Sequence, residues 1–225
     1  MKRVAADHVK FLREYFRTFE TTGAIAPSSR FVARALTKPL HERTDNVRIL
    51  EAGPGTGSVT SEIIRHLKPG DRLDIVEINS RFADALSERF ESDPRYMAVA
   101  DCAEIHVCAL QEFQADAQYD SIVSGLPFNN FPSELVEELF DACLELLRPG
   151  GTMSFFEYMY VRPVRRIVSG SRERLRLREI EKIFEVRFSK YHMRTDWVFV
   201  NIPPAWVQHL RIPEGIADEA DGSVG

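Results

Sequence analysis

Apolar residues along this chain recur with two periods, and the switching between them sets out the elements. Over residues 4–20, Val4, His8, Phe11, Leu12, Tyr15, Phe16 and Phe19 fall three or four apart, with Asp7, Lys10, Arg13, Glu14 and Arg17 opposite. That spacing predicts one amphipathic helix, stopped by Thr21-Thr22-Gly23. Ser28 or Ser29 is a natural N-cap for a second helix, Arg30 to Thr37. Strands are then expected at Arg48–Ala52, Arg72–Ile78, Ile105–Leu110, Ser121–Ser124 and Thr152–Glu157. Helices are expected at Ser58–His66, Ser80–Phe90 and Ser133–Leu147, the last closed by Arg148-Pro149-Gly150-Gly151. A basic helix, Ser171–Ile183, precedes two final strands at about Glu185–His192 and Asp196–Ile202. Alternating strands and helices predict an α/β fold with a doubly wound, mostly parallel sheet. The stretch past Glu214 is rich in Gly, Ala and acid and reads as a flexible tail.

The first strand runs into a glycine turn, Ile49-Leu50-Glu51-Ala52-Gly53-Pro54-Gly55-Thr56-Gly57, and the second ends Asp74-Ile75-Val76-Glu77. Strand, glycine turn, helix and strand make a nucleotide-type pocket at the carboxyl edge of a parallel sheet. Glycine admits positive φ and lets a ligand touch backbone with no Cβ between. Glu77, at the end of the second strand, can accept both hydroxyls of a ribose. A dinucleotide fingerprint has its third glycine three residues after the second; that position is Ser58 here, and the spacing is Gly-x-Gly-x-Gly. Glu51, just before the glycines, would repel a pyrophosphate and suits a cation such as the ammonium or sulfonium of S-adenosylmethionine (SAM). A dinucleotide oxidoreductase is the alternative.

These segments resemble the first two motifs of the class I SAM-dependent methyltransferases. The resemblance implies a Rossmann-like, seven-stranded, mostly parallel sheet in the order 3-2-1-4-5-7-6, closed by an antiparallel pair. It implies SAM as methyl donor.

Composition narrows the setting. A chain of 225 residues with 44% hydrophobic content fits one domain with a sizeable core. It lacks any apolar run near the roughly 20 residues that span a bilayer. The charged start, Met1-Lys2-Arg3, is unlike a secretory signal. Cys102, Cys108 and Cys143 lack paired metal spacing and the histidines are scattered, so no metal site is expected. Net charge is −5, divided as +5 over residues 1–48, −13 over 49–160, +7 over 161–194 and −4 over 195–225. Two basic segments flanking an acidic core point to an anionic partner surface, lipid or nucleic acid.

The fourth strand leads into Ser124-Gly125-Leu126-Pro127-Phe128-Asn129-Asn130-Phe131-Pro132. Methyltransferases acting on planar base amines carry an acid amide where Gly125 stands, so that acceptor is missing here. Pro127 and Phe128 either wall the donor methyl or form a rigid turn with a core phenylalanine. Together with Thr22-Gly23-Ala24-Ile25-Ala26-Pro27-Ser28-Ser29 and Asn201-Ile202-Pro203-Pro204-Ala205, this loop resembles the bacterial phospholipid and ornithine lipid N-methyltransferases. The likeness spans nearly residues 8–207.

That resemblance implies methylation, in successive steps, of the primary amine of phosphatidylethanolamine or an ornithine lipid. It further implies a cytoplasmic enzyme held peripherally on the inner face of the cytoplasmic membrane, with an anionic membrane surface and no nucleic acid as partner. Residues 1–46 become a helical cap that docks on the membrane, 47–210 the methyltransferase domain and 211–225 the tail. Phe11, Tyr15, Phe16 and Phe19 beside Lys10, Arg13 and Arg17 suit a helix lying in the headgroup layer; the alternative is a helix that packs on the sheet. Arg162, Arg165, Arg166, Arg172, Arg174, Arg176 and Arg178 either grip a lipid phosphate or form a solvated face paired with Glu173, Glu179 and Glu181. Expected cofactor contacts are Glu51, Gly53, Gly55, Gly57, Glu77, Ser124, Leu126 and Pro127. The family's third strand ends in an acid that reaches adenine; Cys108-Ala109-Leu110 stand there, leaving Asp101 or Gln111 to substitute. Glu157, Tyr158 and Tyr15 are the candidate proton acceptors. The competing readings are a ribosomal RNA adenine dimethyltransferase and a catalytically silent SAM-binding module.

Overall fold

The structure is a computed structural model that describes residues 7–15, 29–159, 170–201 and 203–214. Seven strands make one sheet: β1 (Arg48–Ala52), β2 (Arg72–Val76), β3 (Ala103–His106), β4 (Tyr119–Ser124), β5 (Leu147–Tyr158), β6 (His192–Val198) and β7 (Ala205–Arg211). Their order is β3-β2-β1-β4-β5-β7-β6. The first five run parallel, and β7 is antiparallel to both β5 and β6. The helices are α1 (residues 7–15), α2 (Arg30–Leu36), α3 (Lys38–His41), α4 (Thr60–Ile63), α5 (Ser80–Ser92), α6 (Pro94–Met97), α7 (Ser133–Leu146) and α8 (Ser171–Tyr191). This is the Rossmann-like sheet that the resemblance implied.

The central strands are apolar on both faces because helices cover both. One face packs Val32, Leu36, Ile63 and Leu86 from α2, α4 and α5 against Ile49, Ile75 and Val123. The other is an aromatic core in which Phe128, Phe140, Phe155 and Phe184 meet at centroid distances of 4.7–6.4 Å.

Five expectations need correction. The strand placed at Glu185–His192 is the second half of α8. Leu177, Ile180 and Phe184 are buried, with Phe188 half-buried behind them, and the spacing of three and four keeps one helical stripe on the aromatic core. Phe184 and Phe188 stack at 5.8 Å. The closing hairpin therefore begins only at His192, and the strand expected at Asp196–Ile202 divides between the end of β6 and the turn after it. The third strand lies earlier than its apolar run, because β3 pairs through Ala103–His106 with β2 and Leu110 turns into a short helical segment. The helix after the glycine loop shortens to Thr60–Ile63, and Arg148-Pro149-Gly150-Gly151 is absorbed into β5.

Antiparallel pairing fixes where the hairpin ends. Ala205 lies opposite both Tyr158 and Val198, so the β6–β7 turn reaches the same sheet edge as the loops after β1, β2, β3 and β4. Phe16, Arg17, Phe19, the Gly23–Ser28 block, Arg162, Arg165, Arg166, Ile202 and the tail lie outside the described residues.

Candidate cofactor crevice

The glycine turn adopts the backbone that its residues allow. Gly53, Gly55 and Gly57 have φ of 70°, 55° and 78°. The Gly53 amide donates to the Val76 carbonyl at 2.9 Å, binding the turn to the end of β2. The space a Cβ would take at Gly55 is open to at least 4 Å, so a ligand can rest on bare backbone there. Gly125 is glycine for another reason. A Cβ on it would stand 2.4 Å from the Gly53 carbonyl oxygen, so the loop after β4 and the glycine turn approach backbone to backbone.

Beside this contact lies a crevice of about 320 Å³, its open mouth included, walled by Gly53, Glu77, Ile78, Cys108, Leu110 and Leu126. Leu12 of α1 closes one side. Val9 and Leu12 are buried, and Tyr15 sets its ring edge-on to Phe131 at 5.2 Å. His8 meets Glu138 of α7 at 2.6 Å, and the Asn130 side-chain amide donates to the Tyr15 hydroxyl at 2.9 Å. The apolar face of α1 thus packs on the domain and roofs the crevice, the packing alternative of the two weighed for that helix. Phe11 is 36% exposed at its margin.

Two buried acids stand at this end of the sheet with different company: Glu77 lines the crevice, and Glu51 lies on β1 next to its wall residues Ala52 and Gly53. Glu77 is buried and accepts from the amides of Gly55 at 3.1 Å and Asn79 at 2.8 Å, which shape the turn around it. Burial pushes its carboxyl up, opposed by those amides. Glu51 is 1% exposed, and no hydrogen bond of good geometry reaches either carboxyl oxygen. Burial, abetted by the Glu77 charge and tempered by Thr60, pushes Glu51 up to about 8. A buried acid without a partner is costly. A ligand cation in the crevice would relieve that cost. Gln111 has the same character: its amide nitrogen and oxygen are both buried without a partner. These groups fit SAM, with a carboxylate for each of its ribose and its ammonium end, an amide for adenine and a cradle free of Cβ.

The other expected residues separate. The Leu126 amide donates to the Ser124 hydroxyl at 3.3 Å, and Leu126 packs over Gly53, while Pro127 opens the helical turn Phe128–Asn130. Glu157 and Tyr158 are consecutive on β5 and point to opposite faces, as strand geometry requires. Tyr158 packs with Phe156 on the α2 side, and its phenol is pushed up by burial. Glu157 is 5% exposed and lies in register with Trp206 of β7. Neither lines the crevice.

Of the two readings of the arginine segment, Arg176 follows the one that pairs it with Glu173 rather than with a lipid phosphate. Its guanidinium donates to the carbonyl of Phe131 and, at 3.0 Å, to that of Asn129, while pairing with Glu173 at 2.6 Å. It clamps the loop after β4. Arg172, Arg174 and Arg178 remain exposed. Sequence reasoning missed the Leu12 roof and this clamp; Cys108, read only as a departure, is a wall residue.

The fold is that of the class I SAM-dependent methyltransferases, and the crevice offers groups that fit SAM. The family profile described as "Methyltransferase domain" matches residues 49–151. The chain is 29% identical to the ornithine lipid N-methyltransferase of Singulisphaera acidiphila across 91% of this chain and 96% of that protein. It is also 29% identical to the ribosomal RNA small subunit methyltransferase A of Parasynechococcus marenigrum, over only 36% of this chain and 26% of that one. Among solved structures, the O-methyltransferase from Bacillus cereus in complex with SAH shares the fold at a TM-score of 0.62, with 16% identity and coverage of 91% and 90%. No helix among the described residues is long and apolar enough to cross a membrane.

Proposed function

We propose that this methyltransferase acts on the primary amine of a membrane lipid headgroup, and that the lipid is an ornithine lipid. One observation carries the reading: likeness to an ornithine lipid N-methyltransferase runs through almost the full length of both chains. Likeness to the ribosomal RNA enzyme stops at about a third of this chain. The Gly125–Gly53 contact adds support, because an amide side chain cannot enter at Gly125 without parting the two loops. Ornithine lipids carry no phosphate, and the occupied Arg176 removes one of the arginines that would favour a phosphate-bearing headgroup.

In this reading Glu77 holds the ribose hydroxyls, Glu51 the cationic amino-acid end and Gln111 the adenine edge. SAM, when bound, supplies a methyl group on a positively charged sulfur. The chain's task is then to deliver a neutral amine in line with it. An alkylammonium has a pKa near 10, so its deprotonation at pH 7 costs roughly 3 units, or about 4 kcal/mol. The apolar walls from Leu12, Leu110 and Leu126 exclude water and lower that cost. Tyr15, hydrogen-bonded to the loop after β4, offers its oxygen at the roof and orients the amine. Neither Glu157 nor Tyr158 lines the crevice, so neither receives the proton in this reading. Purified protein incubated with labelled SAM and vesicles containing either ornithine lipid or phosphatidylethanolamine tests this. Mass analysis should find mono- to trimethylated ornithine lipid, and label entering neither lipid would end the proposal.

A further inference from the structure

Three of the largest exposed apolar side chains lie together. Trp197, Phe199 and Val200 are 59, 63 and 65% exposed. Trp197 stacks on Phe199 at 5.6 Å and meets Trp206 edge-on at 5.7 Å. They form an aromatic knuckle around the β6–β7 turn. Soluble proteins rarely leave such residues contiguous in water without a use for them.

We infer that this knuckle embeds in the headgroup layer of an anionic bilayer and sets the crevice against the lipid that it methylates. The inference rests on the lipid reading above and adds the surface that makes the contact. Position is the first argument. Val198 and Tyr158 both pair with Ala205, so the knuckle stands at the sheet edge where the glycine turn and the loop after β4 open. Charge is the second. Arg172 and Arg174 are exposed on the first turns of α8, which Arg176 fastens to that same loop, and Lys10 is exposed on the α1 roof. Cations and aromatics therefore gather at one edge of a protein whose central segment, residues 49–160, carries −13. Side-chain chemistry is the third: an indole has an apolar body and one N–H, which suits the boundary between acyl chains and headgroups. Cations beside it suit anionic lipid.

The chain's 2 tryptophans are both in the knuckle, so its intrinsic fluorescence reports on this surface. Vesicles of phosphatidylcholine and phosphatidylglycerol, which offer no primary amine, are the probe. Wild-type emission should shift to shorter wavelength on adding them and be quenched by brominated acyl chains. The double variant Phe199→Ser/Val200→Ser should partition onto these vesicles roughly 10- to 100-fold more weakly, the effect of moving two interfacial apolar side chains to water. Its melting temperature and its turnover of a short-chain, water-soluble ornithine lipid should match wild type. Unchanged vesicle binding by the variant, absence of quenching, or a wild-type dimer that the variant breaks would each overturn the inference. Wild type that binds vesicles through the knuckle but methylates no lipid amine would uphold this surface and end the lipid-methylation proposal instead.

Discussion

Glu51 and Asp74 sit on adjoining strands, one register step apart, and both are buried. Asp74 is surrounded by donors: Tyr119 at 2.8 Å, Arg48 at 3.0 Å, His106 at 3.0 Å and Arg72 at 3.3 Å. Burial alone would raise its carboxyl, but those donors outweigh it and hold Asp74 below the usual carboxylate range. Glu51 has burial with only Thr60 to offset it and is pushed up to about 8. The same residue chemistry at the same depth thus serves opposite ends. An acid whose partners come from the fold holds strands together; an acid left unsatisfied beside a cleft is, in the proposed function, the one that meets the ligand's charge.

The contrast can be broken from either side. Replacing Asp74 with Ala removes the shared acceptor of Arg48, Arg72, His106 and Tyr119, leaves Arg48 with Asp116, and should cost about 3–5 kcal/mol of stability, read from denaturant unfolding, with SAM affinity intact in the folded fraction. Glu77→Ala removes a charged acceptor for two hydroxyls and should weaken SAM binding by roughly 100-fold or more in calorimetry; unchanged affinity would refute the ribose assignment. Glu51→Gln should weaken SAM binding by about 10- to 100-fold while stabilising the ligand-free protein at neutral pH. Gln111→Leu should cost about tenfold in affinity with little change in melting temperature.

Glu51 has a pH signature as well. Its folded pKa of about 8 lies above its ordinary value of 4.5, so between those values the folded chain holds a proton that the unfolded chain has released. Stability from this group is therefore greatest below about pH 4.5, falls as pH rises toward 8, and levels beyond. SAM, being cationic, should bind better as pH rises through that range and release protons on binding. Calorimetry at pH 7 in buffers of different ionisation enthalpy measures that release, and the Glu51→Gln variant should lose it.

How much of this was legible beforehand depended on distance along the chain. The glycine turn and its two acids are local, and the register of β1 with β2 converts their spacing directly into a crevice. The limits of α8 were misjudged because Phe184, Val186 and Phe188 are good strand formers, and only the aromatic core 30–60 residues upstream decides in favour of a helix. The partner of Arg176 lies 45 residues away in sequence, so a free cation and a loop clamp look identical in the string. The amphipathic stripe of residues 7–15 shows that a face is buried; it does not say against what. Leu12 on the crevice wall required the fold.

The contact between Gly53 and Gly125 has one more consequence. It joins the glycine turn to the loop after β4, main chain against main chain, with no flexible side chain to absorb slack. If the proposed function holds, the span across which a methyl group travels is set by the skeleton of the protein, so evolution could reshape the acceptor pocket from its outer rim while that span stays constant.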